Sequence, residues 1–210
     1  MTLRTDDRPG WGDPHPDRRA GTLATGAATS QAVGTMIRVA VLDRHPAVRA
    51  GLAAMMRDAP GFTFAGAVAD ARDLAALVYR CDPDLVVVDS VSARVDGRAR
   101  VVLYSSPVTP AIVLAASVAG FAGVVDKADG ALLDTLRAVH DGVRMVPAVA
   151  PRDHAFAARR LDPRDRPIFA MRLAGTSPRE IADVVGVGVA ALNARIAAIT
   201  RQLAPPVLAV

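Results

Sequence analysis

The chain has 210 residues, of which 51% are hydrophobic, and a formal net charge of +4 at pH 7, which allows one sizeable core and a second, smaller one. Cys81 is the only cysteine and the four histidines are scattered, which argues against a disulfide framework, a cysteine-rich zinc site and a metal site built on imidazoles. No apolar run reaches the roughly 18 residues of a membrane span and the N-terminus lacks a secretory segment, so we expect a cytoplasmic protein without membrane contact.

The positive charge is concentrated near the C-terminus. Residues 149–210 contain nine Arg against four Asp and one Glu, which accounts for the whole net charge. A small basic unit favours contact with the phosphate backbone of nucleic acid, although an Arg-rich surface of purely compositional origin would give the same count. Of the 25 basic residues 24 are Arg, and Lys127 is the only lysine.

The first 35 residues show no hydrophobic periodicity and are rich in Gly, Pro, Thr, Ala and Asp, which predicts a disordered tail at 1–35. We also expect translation in the cell to begin at or near Met36. From there to residue 146, short apolar runs alternate with helical patterns, which predicts an α/β domain built on a doubly wound parallel sheet. The predicted strands are 37–43, 62–68, 84–89, 101–104 and 123–126, and the predicted helices are 46–58, 72–79, 110–118 and 131–140.

One connection is too short for a regular crossover. Between Asp89 and Val101 there are eleven residues, whereas a parallel crossover takes about a dozen or more and usually contains a helix. Gly97 and three Arg in this stretch disfavour a helix, so we predict a five-stranded domain that lacks a full third helix. We expect the sheet to be thinly covered there and the protein to form a homodimer through the exposed apolar surface. The residues expected to be poorly covered are Leu85, Val87 and Leu103.

The C-terminal part of the chain carries helix-boundary signals. Residues 147–160 are predicted to be a linker that contains a short helix at 153–160. Asp162 and Pro163 predict an N-cap followed by a first-turn proline, in a helix that ends at Gly175.

Two further helices follow. Ser177 and Glu180 have the spacing of a capping box, and the helix that they begin stops at Gly186. Two helices joined by a short Gly-containing turn are typical of a helix-turn-helix, which we predict for 161–204, with a tail at 205–210. The last helix is predicted to carry an apolar face formed by Leu192, Ile196, Ile199 and Leu203.

Polar residues stand where four predicted strands end, at Asp43, Asp89, Ser105 and Lys127. In an open parallel sheet, functional groups gather at the carboxyl ends of the strands. This set, the opening stretch 37–52 and the stretch 119–127 (Ala-Gly-Phe-Ala-Gly-Val-Val-Asp-Lys) resemble the receiver domain of two-component response regulators of the NarL/FixJ type. The resemblance implies that Asp89 is the phospho-acceptor, that Ser105 hydrogen-bonds the phosphoryl group, that Lys127 is its counter-charge and that a sensor kinase is a partner.

The chain departs from this family at Arg44, where the family has the second residue of an acidic pair. The resemblance implies a magnesium ion held by Asp43 and Asp89. A permanent cation at a ligand position removes negative charge and repels the ion. We therefore predict that Arg44 replaces magnesium by pairing with a carboxylate, and that regulation is independent of phosphorylation or only weakly dependent on it.

Residues 161–203 resemble the LuxR-type helix-turn-helix, on the stretches Leu-Asp-Pro-Arg at 161–164 and Gly-Thr-Ser-Pro-Arg-Glu-Ile-Ala at 175–182. The resemblance implies that the last helix enters the major groove, where Asn193 pairs with adenine and Arg195 reaches phosphate or guanine. Arg179 and Arg201 are predicted to contact phosphates.

These features together predict a DNA-binding transcription regulator with a degenerate phospho-receiver domain. We do not expect an enzyme, because no phosphate-cradling Gly loop and no Ser/His/Asp set in a recognisable order are present. The alternative is a protein-interaction module with a receiver fold that no longer binds DNA.

Overall fold

Five parallel strands form a single sheet in the order β2-β1-β3-β4-β5. The structure is a computed structural model that describes residues 36–95 and 97–204, so the predicted tails at 1–35 and 205–210 lie outside the described residues. The strand order and direction are those of a doubly wound, flavodoxin-like fold and confirm the predicted fold class. The strands are β1 (Ile37–Leu42), β2 (Phe62–Val68), β3 (Leu85–Val88), β4 (Arg100–Ser105) and β5 (Gly123–Asp126).

Four helices cover the two faces of this sheet. Helices α1 (Pro46–Asp58) and α4 (Leu132–His140) pack on one face, and α2 (Ala71–Cys81) and α3 (Pro110–Ala119) pack on the other. All four residues of β3 are buried, because this central strand is covered on both sides.

The connection from β3 to β4, which we call loop 90–99, contains no helix among its described residues, as the short spacing predicted. The predicted thin coverage of the sheet is nevertheless wrong. Leu85 and Val87 face α1 and α4, while Leu103 on the opposite face packs in the same cluster as Val91 and Ala93 of the loop. The predicted homodimer therefore loses the exposed apolar face on which it was based. The relative exposures of Leu85, Val87 and Leu103 are 0%, 1% and 0%.

Between residues 147 and 204 the structure describes four helices: α5 (Pro151–Arg160), α6 (Arg166–Leu173), α7 (Pro178–Val185) and α8 (Val189–Leu203). The capping box predicted for α7 is present, since Ser177 Oγ accepts from the Glu180 backbone N–H and the Glu180 carboxylate accepts from the Ser177 N–H at 2.9 Å. The helix ends at Gly186 in the left-handed conformation (φ +69°), as predicted. Among the described helices no single one is long and apolar enough to cross a membrane; α7 and α8 meet that test only as a pair bent by 106°.

Helix α6 begins later than predicted, so the assignment of Asp162 as its N-cap is wrong. The Asp165 N–H donates to Asp162 O at 2.9 Å and closes a turn in which Pro163 is the second residue. The helix then starts at Arg166, with Pro167 in its first turn. A helix that began at Pro163 would carry Pro167 in its interior, where proline removes a hydrogen bond and clashes with the preceding turn.

The C-terminal helices pack against the sheet domain through α3, which contacts α5, α6 and α8. The apolar face predicted for α8 is buried, and it joins the hydrophobic cluster that also contains the buried residues of α2 and α3. One continuous core therefore runs from the sheet into the C-terminal helices, across the stretch 147–160 that the sequence predicted to be a linker.

Candidate functional site

The ends of four strands lie at one edge of the sheet and carry the predicted polar residues. Asp43 follows β1, Asp89 follows β3, Ser105 is the last residue of β4 and Lys127 follows β5. The structure brings Asp43, Asp89 and Lys127 together in what we call the strand-end pocket. Their proximity follows from the parallel topology, since strands that run in one direction end at one edge.

Asp43 is the most deeply buried member of the strand-end pocket, with 2% relative exposure. Its Oδ2 accepts a hydrogen bond from Lys127 Nζ at 2.6 Å, and its Oδ1 lies 2.8 Å from the His45 backbone N and 3.0 Å from His45 Nδ1. Burial alone raises the pKa of Asp43, but the hydrogen bonds from Lys127 and His45 outweigh it and hold the pKa below its usual value. Asp43 is therefore ionised at neutral pH.

Asp89 is paired with Arg44. Asp89 Oδ2 accepts from the Arg44 backbone N–H at 3.2 Å and lies 3.6 Å from Arg44 Nε. The Asp89 side chain is 12% exposed and that of Arg44 is 50% exposed, so Arg44 is the more solvent-exposed partner of the pair. Arg44 thus lies where the sequence analysis expected a cation to take the place of a metal ion.

Ser105 contributes to the strand-end pocket through its backbone. Its carbonyl accepts from the Lys127 N–H at 2.9 Å, and its side chain is half-buried. The preceding residue, Tyr104, presents its ring 5.5 Å from Lys127 Nζ. These contacts fix Lys127 over Asp43, and the role of the Ser105 hydroxyl towards a phosphoryl group stays a prediction.

The residues of the strand-end pocket do not fit a magnesium ion. Ligand atoms of Asp43, His45 and Asp89 lie within 4.8 Å of one another, a spacing that a metal could bridge. Both oxygens of Asp43 and one oxygen of Asp89 are already engaged by hydrogen-bond donors, and Lys127 and Arg44 bring two positive charges to the same place. Magnesium prefers oxygen ligands and keeps several waters, and two cations at this distance oppose its entry.

His45 also belongs to the strand-end pocket, although it was not among the residues predicted from sequence. The signal was present in its spacing, because an Asp side chain commonly accepts a hydrogen bond from the backbone N–H two residues further on. Arg49 was missed as well; its Nη1 donates to Asp43 O at 2.7 Å and ties α1 to the end of β1.

The predicted DNA-binding residues lie on α7 and α8, and one of them is engaged in contacts within the protein. Arg195 donates to Asp165 Oδ1 from Nε at 2.9 Å and from Nη2 at 2.6 Å, and also to Arg164 O at 2.8 Å. These three hydrogen bonds together hold the guanidinium in place. In the described conformation Nε and Nη2 of Arg195 are therefore already engaged within the C-terminal helices.

The other three candidates are exposed but differ in surroundings. Asn193 and Arg201 line a cavity between α8 and loop 90–99, so they face the sheet domain. Arg179 lies in the first turn of α7 and is exposed. The structure therefore does not bring the four predicted DNA-binding residues to one open surface.

Arg172 joins the C-terminal helices to the sheet domain, and sequence analysis did not identify it. Its Nε donates to Val118 O in the last turn of α3 at 2.8 Å, and its Nη1 donates to Thr176 O at 2.7 Å. Burial, and to a lesser degree the charge of Arg144, lowers the pKa of Arg172. Gly120 makes room for the guanidinium, because its φ of +88° favours glycine and a methyl group there would collide with Arg172.

Comparison with known proteins gives structural matches only. No family model and no curated protein matches the chain. A structure of two RcsB dimers bound to two parallel DNAs is 18% identical, with 80% of this chain and 93% of that chain covered and a TM-score of 0.50. RcsB from Salmonella enterica serovar Typhimurium, bound to a promoter in the presence of a phosphomimetic, is also 18% identical, with 80% and 92% covered and a TM-score of 0.50.

A two-component response regulator of the LuxR family from Aurantimonas sp. SI85-9A1 is 27% identical over 56% of this chain and 92% of that chain, with a TM-score of 0.49. The likeness to RcsB establishes the fold: the chain is built as a receiver-like sheet domain followed by a helical region of the helix-turn-helix type. The predicted resemblance to response regulators of this architecture is confirmed at the level of the fold.

Proposed function

We propose that this chain, which has the fold of a response regulator, is a DNA-binding transcription regulator that does not depend on magnesium-dependent phosphorylation. The observation that carries the proposal is the charge pairing of the strand-end pocket, where Lys127 binds Asp43 and Arg44 is paired with Asp89. The pocket holds two acidic groups, Asp43 and Asp89, and two basic groups, Arg44 and Lys127. Its formal charge is therefore zero without an added cation. A partner protein or a ligand, rather than a sensor kinase, then supplies the signal.

The DNA-binding part of the proposal is supported by the C-terminal charge and by the capped helices. Residues 149–210 carry the whole net charge of the chain. The capping box fixes the start of α7, and Gly186 in the left-handed conformation ends it before the turn that leads to α8. In the described conformation α8 lies against α3, so the proposal requires α8 to separate from the sheet domain before it enters a groove.

A salt titration of DNA binding tests this proposal. With the full chain and a random-sequence duplex, we expect the affinity to fall about fortyfold between about 50 and about 200 mM salt if three phosphate contacts release counterions. Arg179→Gln is expected to reduce the slope of log affinity against log salt by about one. Arg152→Gln on the exposed face of α5 is the matched control and should leave the slope unchanged. Fluorescence anisotropy measures both.

The second candidate function is a protein-interaction module without DNA binding. It is favoured by the pairing of Arg195 with Asp165 and by the position of Asn193 and Arg201 against the sheet domain. This candidate predicts no measurable binding to any duplex even at about 50 mM salt, where nonspecific electrostatic binding is strongest.

Acetyl phosphate tests the phosphorylation part of the proposal. Incubation of the full chain with acetyl phosphate and magnesium is expected to give no stable adduct on Asp89, because Arg44 pairs with one oxygen of the carboxylate and its charge repels the ion. Arg44→Asp is expected to restore labelling, detected by intact-protein mass spectrometry, and Arg44→Asp/Asp89→Asn is the control that loses it again. Efficient labelling of Asp89 in the unaltered chain, accompanied by tighter DNA binding, would contradict the proposal.

A further inference from the structure

A cavity of about 380 Å³ lies between loop 90–99, the end of α3 and helix α8. We call it the loop–α8 cavity. Its volume lies within the roughly 300–1,000 Å³ of small-molecule sites. On the α8 side it is lined by one face of the helix, since the lining positions recur at helical spacing. These α8 residues are Asn193, Ile196, Ala197, Thr200 and Arg201.

The loop–α8 cavity lies where the described residues of loop 90–99 form no helix and where several surrounding side chains are small. Loop 90–99 spans from β3 to β4 without a helix among its described residues, and α8 approaches from the side of α3 without filling the space. Several of the lining side chains are single methyl groups, which leaves room for an apolar part of a ligand. The alanines that line the cavity are Ala93, Ala99, Ala119, Ala122 and Ala197.

The polar groups of the loop–α8 cavity are basic or neutral. Arg94 of the loop and Arg201 of α8 both line it and are exposed, and neither is in an ion pair with another residue described by the structure. Arg100 also lines it, but its Nη1 donates to Val139 O and His140 O, so that guanidinium is engaged elsewhere. The described lining residues include no Asp and no Glu.

We propose that the loop–α8 cavity binds a small amphipathic organic anion, such as a carboxylate with an aliphatic or aromatic body. The apolar body lies on the alanines and on Phe121, and the anionic group is held by Arg94 and Arg201. Guanidinium groups suit carboxylates because they offer several donors in one plane. Because the cavity is formed by both the loop and α8, the anion stabilises the arrangement in which α8 lies against the sheet domain.

This binding site has a consequence that rests on the proposed DNA-binding function. An anion that binds only when α8 is against the sheet domain competes with DNA for α8. Its binding and its effect on DNA are separate measurements, so the site can be present even if the chain binds no DNA.

The direct test uses anilinonaphthalene sulfonate, a fluorescent amphipathic anion, and the uncharged dye N-phenylnaphthylamine as its matched probe. The full chain is expected to bind the anionic dye at one saturable site. Arg94→Gln/Arg201→Gln is expected to weaken the anionic dye about tenfold and to change the uncharged dye less than about twofold. Arg98→Gln is the control on the same loop, because the Arg98 side chain is 92% exposed and lies outside the lining.

A second experiment uses a variant that fills the cavity. Ala197→Leu is expected to weaken both dyes while the thermal midpoint shows that the chain remains folded, and octanoate is expected to displace the anionic dye from the unaltered chain. Dye affinities that are the same in the unaltered chain, in Arg94→Gln/Arg201→Gln and in folded Ala197→Leu would overturn the proposal. If the dye binds as expected but no duplex does, the site stands and the proposed DNA-binding function fails.

Discussion

Replacing Lys127 with methionine is expected to lower the free energy of unfolding by about 3 kcal/mol at neutral pH. Lys127 Nζ is 2.6 Å from Asp43 Oδ2, and the Asp43 side chain is 2% exposed. Methionine keeps most of the length of the side chain but leaves a buried carboxylate without its cation. Removing one partner of a buried ion pair usually costs about 3–5 kcal/mol. We expect the lower value because the Lys127 side chain is 24% exposed, so water can partly replace it. Urea unfolding in a buffer with a chelator measures the change.

The effect of Lys127→Met is expected to depend on pH. In the unaltered chain the pKa of Asp43 is lowered, so its contribution to stability is present above the unfolded pKa of about 4 and is lost as pH falls through the folded pKa. Lys127→Met removes the largest of the contributions that lower the pKa of Asp43, so the variant loses part of this stabilisation above about pH 4. The difference between the two proteins is therefore largest at neutral pH and shrinks in acid.

Two further variants separate this electrostatic cause from lost packing. Asp43→Asn/Lys127→Met removes the buried charge together with its partner and should recover most of the lost stability. Asp134→Asn removes the exposed ion pair with Arg137 and should change stability little. A Lys127→Met variant as stable as the unaltered chain at neutral pH would contradict the assignment of Lys127 as the cation of Asp43.

The sheet domain could be predicted from sequence because its signals are local. Apolar runs between polar residues set β1, β3 and β5, and the parallel order then places Asp43, Asp89 and Lys127 at one edge. The caps of α7 were predictable for the same reason, since a side chain three residues away satisfies the helix end. The start of α6 was predicted wrongly although a local signal was present: Pro163 fits a first turn, but Pro167 would lie in the interior of a helix that began there.

The docking of α8 could not be predicted, because an apolar stripe does not identify what it packs against. Leu192 and Ile196 would have the same spacing whether α8 packed only on α6 and α7 or also on α3. Thin coverage of the sheet was predicted from the missing helix, and it was wrong because loop 90–99 turns its own apolar side chains inward. Arg172 gave no signal, since its two acceptors are backbone carbonyls and one of them is 54 residues away in the chain.

The docked position of α8 links the two proposals. In this arrangement Asn193 and Arg201 face loop 90–99, and the loop–α8 cavity is complete. DNA binding and anion binding thus require different positions of the same helix. A contact that stabilises docking without belonging to either binding site should affect both DNA binding and anion binding. Arg172 is such a contact, because it is neither a predicted DNA-binding residue nor part of the cavity lining.

Arg172→Met is expected to destabilise the docked arrangement by about 2 kcal/mol. Each hydrogen bond from a charged group contributes about 1.5–3 kcal/mol, and relief from burying the cation offsets part of the loss. The bond to Val118 O is favourable for a further reason, because a cation at the C-terminus of α3 interacts with the negative end of the helix dipole. Since methionine retains the apolar stem, the main change is the loss of these contacts.

Two measurements report the undocking. Amide hydrogen exchange in α3 and α8 is expected to accelerate about thirtyfold, and affinity for DNA is expected to rise by up to the same factor if docking competes with DNA. Arg166→Met on the same helix is the matched control, because Arg166 donates to Leu161 O within the C-terminal helices and makes no contact with α3 in the hydrogen bonds described. Its exchange rates in α3 should stay unchanged.

Gly120→Ala provides an independent route to the same state. The added methyl group lies where the Arg172 guanidinium lies, so it displaces the side chain from α3 while the charge remains, and the φ of +88° adds backbone strain. If docking depends on the position of Arg172 and not only on its charge, Gly120→Ala accelerates exchange in α3 and α8 as Arg172→Met does. Unchanged exchange in both variants, with the thermal midpoint also unchanged, would show that α8 is held by its apolar face alone. In that case the free energy needed to undock α8 comes from the burial of Leu192, Ile196 and Ile199 in the core and not from the hydrogen bond of Arg172 to α3.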